Sequence, residues 1–298
     1  MAIDTLSGNR AVRSDQFKGR PRVGYFRGRS LLLTGIMIVA TILFLYPFAS
    51  LIALTLNDLD AYMNPLIPWP AEFTLEIYTS AFTKYNFQDY IGNTVFVVVV
   101  STALSTFASA LSGYALAKLQ FPGRYLLFGA IIAVMLLPTE TMLVPQFVVI
   151  RQLGLINTYW ALILPAIGGG AYSIFLMRQF MLQLPTEMLE AARIDGCSEF
   201  GLFTRIVLPV MKAPILVLAT LSIRGGWNSL LWPQIVLTDE SKQLIMPAIV
   251  RLTQFQGADA YARPVATAAA VMSALVPLIF YIYTQRHFVS ALAGAVKG

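Results

Sequence analysis

The chain has 298 residues, of which 57% are hydrophobic and 12% charged, with a formal charge of +6 and a mean hydropathy of +0.68. Soluble domains carry about 25% charged residues, so this composition excludes an ordinary soluble enzyme. It also leaves no room for a large soluble domain. A single cysteine, Cys197, and a single histidine, His287, exclude a disulfide framework and offer no zinc or iron cluster.

Seven basic residues (Arg10, Arg13, Lys18, Arg20, Arg22, Arg27 and Arg29) precede the first apolar run, opposed only by Asp4 and Asp15. A nucleic-acid-binding tail is the competing reading of such a cluster. Its place directly before a long apolar segment makes it a positive-inside signal instead, and no nucleic-acid partner is expected. The run Leu31–Leu56 far exceeds a signal-peptide core of about 7–15 residues and has no small-x-small site after it, so it reads as an uncleaved first span.

Five further charge-poor runs follow, near the roughly 20 residues that cross a hydrocarbon core. They are Ile91–Ala117, Tyr125 to about Leu143, about Thr158–Met177, about Val210–Leu231 and Pro264–Thr284. Nothing alternates like barrel strands, and lipid-exposed backbone must satisfy its own hydrogen bonds, so all six are expected to be helices. The sequence thus predicts an all-α integral membrane protein with three parts. These are a basic arm over 1–30, a six-helix domain over 31–284 and a tail over 285–298. The arm, Lys118 with Arg124, the polar stretch after span four and the tail together hold 15 of the 21 basic residues. That asymmetry places both termini in the cytoplasm.

Two long loops face the other side. Residues 57–90 carry Pro65, Pro68, Pro70 and Trp69, and residues 233–263 carry the polar tip Gln254, Phe255, Gln256, Gly257 and Asp259. Surface connections with interfacial aromatics are the plain reading of both. Glu140 and Arg224 fall within or near spans three and five, where charge is costly unless it meets a cavity, a partner or the interface. With Asn93, Trp227 and Asn228 at similar depth, they are candidates for a polar translocation path. Snorkelling or structural pairing is the alternative. Gly168, Gly169 and Gly170 suit close packing or a kink.

Between spans four and five, Pro185–Pro214 reads PTEMLEAARIDGCSEFGLFTRIVLPVMKAP. Lipid cannot satisfy its charges, so it belongs in water. Pro185 suits the first helical turn, Glu187 the positive end of the helix dipole, Gly196 a helix stop and Ser198 the cap of a second helix. Pro209 is expected to bend that second helix back toward the membrane. An amphipathic surface helix fits the same composition.

Glu190-Ala191-Ala192, Asp195-Gly196, Ile206, Leu208 and Pro209 resemble the EAA loop of binding-protein-dependent ABC importer permeases. Five neighbouring stretches resemble the six-span subunit of the maltose-type carbohydrate branch. They are Tyr114-Ala115-Leu116-Ala117 before Phe121-Pro122-Gly123-Arg124, Leu153 to Trp160, Trp227-Asn228, Trp232-Pro233 and the tail from Gln285. The resemblance covers residues 30–298. Cys197 stands where alanine is usual, and Pro214 lies one place late.

The resemblance implies a non-catalytic permease subunit in the bacterial cytoplasmic (inner) membrane. Its partners would be a sister permease, two ATP-binding subunits, an external substrate-binding protein and a carbohydrate or glycerol phosphate substrate. The coupling loop would be 179–209, with Glu190, Ala191, Ala192, Asp195, Gly196, Leu208 and Pro209 meeting the ATPase. Gln254–Asp259 would probe the binding protein. ATP and Mg would sit on the partner, and no cofactor on this chain, which has no GxxxxGK[ST] loop. Gly196 to Gly201 is no GxSxG nucleophile elbow. A self-sufficient secondary transporter and a membrane-embedded enzyme are the rival classes. The absence of a repeat and of paired carboxylates or histidine clusters in the spans counts against them.

Overall fold

The computed structural model describes residues 27–63, 73–168, 170–254 and 259–296. It divides into a unit ending at Ala49 and a second from Ser50 onward. The first unit contributes most of α1 (Arg27–Thr55), whose residues from Leu33 to Ala49 are all exposed and, Thr34 and Thr41 apart, largely apolar. Such a surface is stable in lipid and not in water.

The described residues of the second unit form helices joined by turns and short loops: α2 (Leu59–Met63), α3 (Glu76–Thr83), α4 (Phe87–Lys118), α5 (Arg124–Met135), α6 (Leu143–Gln152), α7 (Trp160–Ile167) and α8 (Ala171–Leu182). There follow α9 (Thr186–Ile194), α10 (Glu199–Leu202), α11 (Leu208–Val210), α12 (Lys212–Trp227), α13 (Leu231–Val236), α14 (Ile245–Thr253) and α15 (Ala262–Val296). Four helical stretches are long and apolar enough to span a membrane, or six if each of two bent pairs is one span. At 32 residues, α4 is about 48 Å long. It packs against α7, α8 and α12, while α15 packs against α3, α12 and α14.

Three breaks interrupt the spans, the one in span four at the glycines suited to a kink. The third span stops at Met135, and Arg124–Met135 meets Thr139–Gln152 at 105°. Pro138 causes this: it lacks an N–H and drives the preceding residue out of the helical region. Glu140 therefore lies in a short 3₁₀ turn, Thr139–Met142, outside a straight span. In the fourth span, α7 and α8 separate at Gly168–Gly170, where Gly170 has φ +62°. Gly169 lies outside the described residues. The fifth span begins only at Lys212, after an 80° bend at Met211 rather than at Pro209. A π-helical turn, Phe203–Val207, absorbs the proline instead: Leu208 N–H donates to the Phe203 carbonyl five residues back. Pro214 then falls in the first turn of α12, where its missing N–H costs nothing.

Candidate functional site

The polar loop after α8 is built from local rules. Pro185 sits one residue before the helix, with φ −58° and ψ 128°, so Thr186 rather than Pro185 begins α9. At the other end Gly196 adopts φ +81°. Gly196 N–H donates to the Arg193 carbonyl at 3.0 Å and Cys197 N–H to the Ala192 carbonyl at 3.0 Å. These are the paired bonds of a Schellman motif, which needs a residue tolerant of the left-handed region at that position. Ser198 Oγ then accepts from Gly201 N–H at 3.2 Å, capping α10 as its side chain predicts.

Three ties fix this loop to the bundle. Leu189 is fully buried, packed in a cluster with Tyr114, Met177, Leu202, Phe203 and Leu218. Arg193 Nε and Glu199 Oε1 form an ion pair at 2.6 Å across the Gly196 turn, and Tyr114 Oη donates to Glu199 Oε2 at 2.8 Å. That carboxylate holds the Arg193 pKa above its ordinary value. Lys118 Nζ donates to the Leu184 carbonyl at 2.6 Å, one residue before the loop's proline.

With Leu189 inward, Glu187, Glu190, Ala191 and Ile194 are exposed at the i, i+3, i+4, i+7 spacing of one helix face. Ile194 is 86% exposed, and Phe200 nearby is also exposed. Of the seven residues expected to meet an ATPase, Glu190, Ala191, Asp195, Gly196 and Pro209 are exposed. Ala192 and Leu208 pack inward against the Leu189 cluster. Ile194, Phe200 and the Arg193–Glu199–Tyr114 chain were not singled out from the sequence. The first was available from the 3.6-residue period, and the last joins residues too far apart in the chain to pair by eye.

The five path candidates differ in burial: Trp227 is buried, Asn93 is half-buried, and Glu140, Arg224 and Asn228 are exposed. Asn93 Nδ2 donates to the carbonyls of Ser241 and Gln243 at 2.8 and 3.1 Å, and its Oδ1 accepts from Tyr159 Oη at 2.6 Å. It braces the 237–245 loop. Trp227 is buried, with its indole N–H donating to the Ser273 carbonyl and Oγ of α15 at 3.1 and 3.0 Å. Glu140, Arg224 and Asn228 are exposed, and the Asn228 amide donates to the Arg224 carbonyl at 2.8 Å.

At one end of the second unit lies a polar cleft of about 660 Å³, lined by Lys84, Asp89, Tyr90, Asp239, Glu240 and Arg251 among others. Arg251 pairs with Glu240 at 2.5 Å. Asp239 is held below the usual carboxylate range chiefly by the Ser241 hydroxyl, with the Ser241 amide adding to it. Phe255, Gln256 and Gly257 of the expected tip lie outside the described residues, and Gln254 is the exposed residue that ends α14.

Asp259, expected to contact a binding protein, is bonded at the loop base. It accepts from Tyr85 Oη at 2.5 Å, from Lys84 Nζ at 3.0 Å and from Tyr261 N–H at 3.1 Å. Tyr261 Oη donates in turn to Glu76. The Tyr85 bond, then Lys84, lowers the Asp259 pKa, while burial and then Asp259 raise that of Tyr85. A carboxylate depressed in the fold stabilises above its unfolded pKa, about 3.9, and loses that contribution as pH falls through the folded value. Amides near residues 259–262 should therefore be protected at pH 7 and lose protection, relative to the intrinsic exchange rate at each pH, below about pH 4. Asp259→Asn should exchange faster already at pH 7. Equal protection of variant and parent by hydrogen exchange at pH 7 would exclude the latch.

Four to six candidate spans and a capped polar loop between two of them define a multi-pass helical membrane protein. The chain belongs to the family described as binding-protein-dependent transport system inner membrane component, whose family model matches residues 109–292. It is 34% identical over 273 residues to the arabinooligosaccharides transport system permease protein AraQ of Halalkalibacterium halodurans, covering 90% of this chain and 96% of the relative. To the sn-glycerol-3-phosphate transport system permease protein UgpE of Yersinia pestis bv. Antiqua it is 31% identical over 278 residues, covering 91% and 98%. In fold it matches a chain of a bacterial ABC transporter involved in the import of the acidic polysaccharide alginate. The TM-score is 0.78 at 22% identity, covering 88% of this chain and 97% of that one.

Proposed function

We propose that this chain is a pore-forming subunit of an ATP-driven carbohydrate importer and itself catalyses no reaction. The observation that carries the reading is the loop at 185–209: a helix capped at its glycine end, anchored by Leu189 and presenting Glu187, Glu190, Ala191 and Ile194 outward. A rigid element of this kind turns movement of a docked partner into movement of the spans it is tied to. The partner would be an ATP-binding subunit, with ATP and Mg held there. A second such subunit, a sister permease and an external binding protein complete the assembly. The loop and both termini would face the cytoplasm from the inner membrane. The relatives' arabinooligosaccharide and sn-glycerol-3-phosphate transport support sugars and related polyol phosphates as the substrate class.

The test is reconstitution of the assembly in liposomes with its binding protein. Uptake and stimulated ATP hydrolysis are measured across neutral oligosaccharides, uronate oligosaccharides and glycerol phosphate. ATP-dependent import of at least one is expected. Uptake by this chain alone, without the ATPase, would instead make it a secondary transporter.

A further inference from the structure

Midway along α4, a cavity of about 240 Å³ lies among α4, α7, α12 and α13. Thr102, Ser105, Ser222 and Ser229 line it, Gly226 gives part of its wall without a side chain, and Trp232 adds an aromatic residue. Thr102 is only 8% exposed, and its hydroxyl has no hydrogen-bond partner among the described residues. One turn further along the same helix, Thr106 Oγ1 is buried and equally unpaired. Buried hydroxyls are normally satisfied, and in helices Ser and Thr usually bond back to a carbonyl a turn earlier, as Ser101 does to Val97. Thr102 forgoes that bond where it lines the cavity, so a ligand there could take it, whereas Thr106 lies outside the lining.

The backbone supports the same place. Asn228–Leu230 interrupts the helix between α12 and α13. Irregular backbone at membrane depth persists only where it is buried in protein or lines a water-filled cavity, and Ser229 from that break faces this cavity. Thr102 and Ser105 lie at the centre of the 32-residue α4, the level of the bilayer midplane for a helix centred in the membrane. No Lys, Arg, Asp or Glu lines the cavity.

We infer that this cavity is a subsite for a neutral hydroxylated ligand, one sugar ring of a passing oligosaccharide, held by the Thr102, Ser105, Ser222 and Ser229 hydroxyls with a ring face against Trp232. The inference rests on the carbohydrate-importer reading and narrows it. A phosphate or uronate group finds no counter-charge here, so the substrate is neutral where it meets this chain.

The reconstituted assembly tests it with Thr102→Val, Ser105→Ala and Ser222→Ala, singly and together. Uptake of neutral oligosaccharides should fall about tenfold or more in the triple variant, through KM, with the melting temperature and binding-protein-stimulated ATP hydrolysis held near the parent's. Parent-like uptake in a folded triple variant overturns the subsite, as does a parent assembly that imports only anionic substrates. Either result leaves the importer reading standing, whereas a parent that imports no carbohydrate removes that reading itself. Should the triple variant not fold, Ser105→Cys in a Cys197→Ser background provides the second measurement. A water-soluble thiol reagent should label it, and a neutral oligosaccharide should slow labelling about fivefold or more. No labelling, or labelling indifferent to sugar, overturns the proposal.

Discussion

Gly113→Val should leave little folded protein in the membrane, and Gly113→Ala should fall between it and the parent. Gly113 is where α4 crosses α8: a Cβ built there would lie 2.8 Å from Met177 Cβ and 2.9 Å from the Arg178 backbone nitrogen. Small residues are what let membrane helices approach this closely. The obstruction includes backbone, which cannot swing aside as a side-chain tip would, so the helices must part. Overpacking costs about 1–3 kcal/mol where neighbours can adjust, and the upper end or beyond applies here. Separation would also pull Tyr114 away from Glu199 and Lys118 away from the Leu184 carbonyl, so the polar loop loses two ties at once.

Thermal melting in detergent should show a fall of roughly 6 °C or more, taking about 3 kcal/mol and 2–4 °C per kcal/mol for a chain of this size. Gly92→Ala, on the same helix with no atom within 4 Å of its new Cβ, is the control and should be neutral or slightly stabilising. A Gly113→Val chain that melts and transports like the parent would refute the crossing.

What the sequence made legible follows how far each determinant reaches. Gly196 and Ser198 announced a stop and a cap because the bonds they make lie within six residues. The apolar runs announced the helices because lipid imposes one solution on any such run. Pro138 was equally visible, yet the third span was read through it; hydropathy reports burial in lipid and not direction. The hydrogen bonds of Asn93 and Asp259 are illegible for a different reason. Their partners lie 148 and 175 residues away, at Ser241 and Lys84 respectively, and only the folded chain brings them together. The hydroxyls of α4 were seen as a Val, Ser and Ala-rich stretch. Which of them face a cavity depends on how α4 is rotated against α7 and α12, and that is set by packing at sites such as Gly113 and Gly226.

The same separation of local from tertiary signals decides which loop substitution stops transport. Leu189 and Ile194 are both aliphatic residues on α9, five positions apart, and they point opposite ways. Leu189 is fully buried, while Ile194 is the most exposed large apolar side chain among the described residues. Neighbouring Glu187, Glu190 and Asp195 disfavour lipid over Ile194, so under the proposed function the ATPase would bury it. Ile194→Asp and Glu190→Arg should therefore leave a chain that inserts and melts normally but no longer holds its ATPase. A lost central anchor costs an interface about 2 kcal/mol or more, some 30-fold in affinity. Pull-down of the ATPase should drop accordingly, and uptake should fall to background. Leu189→Ala should do the converse: losing a buried side chain costs about 2–5 kcal/mol of fold stability, lowering the melting temperature while the surviving protein still binds the ATPase. If Ile194→Asp assembles and transports as the parent does, α9 does not dock through this face.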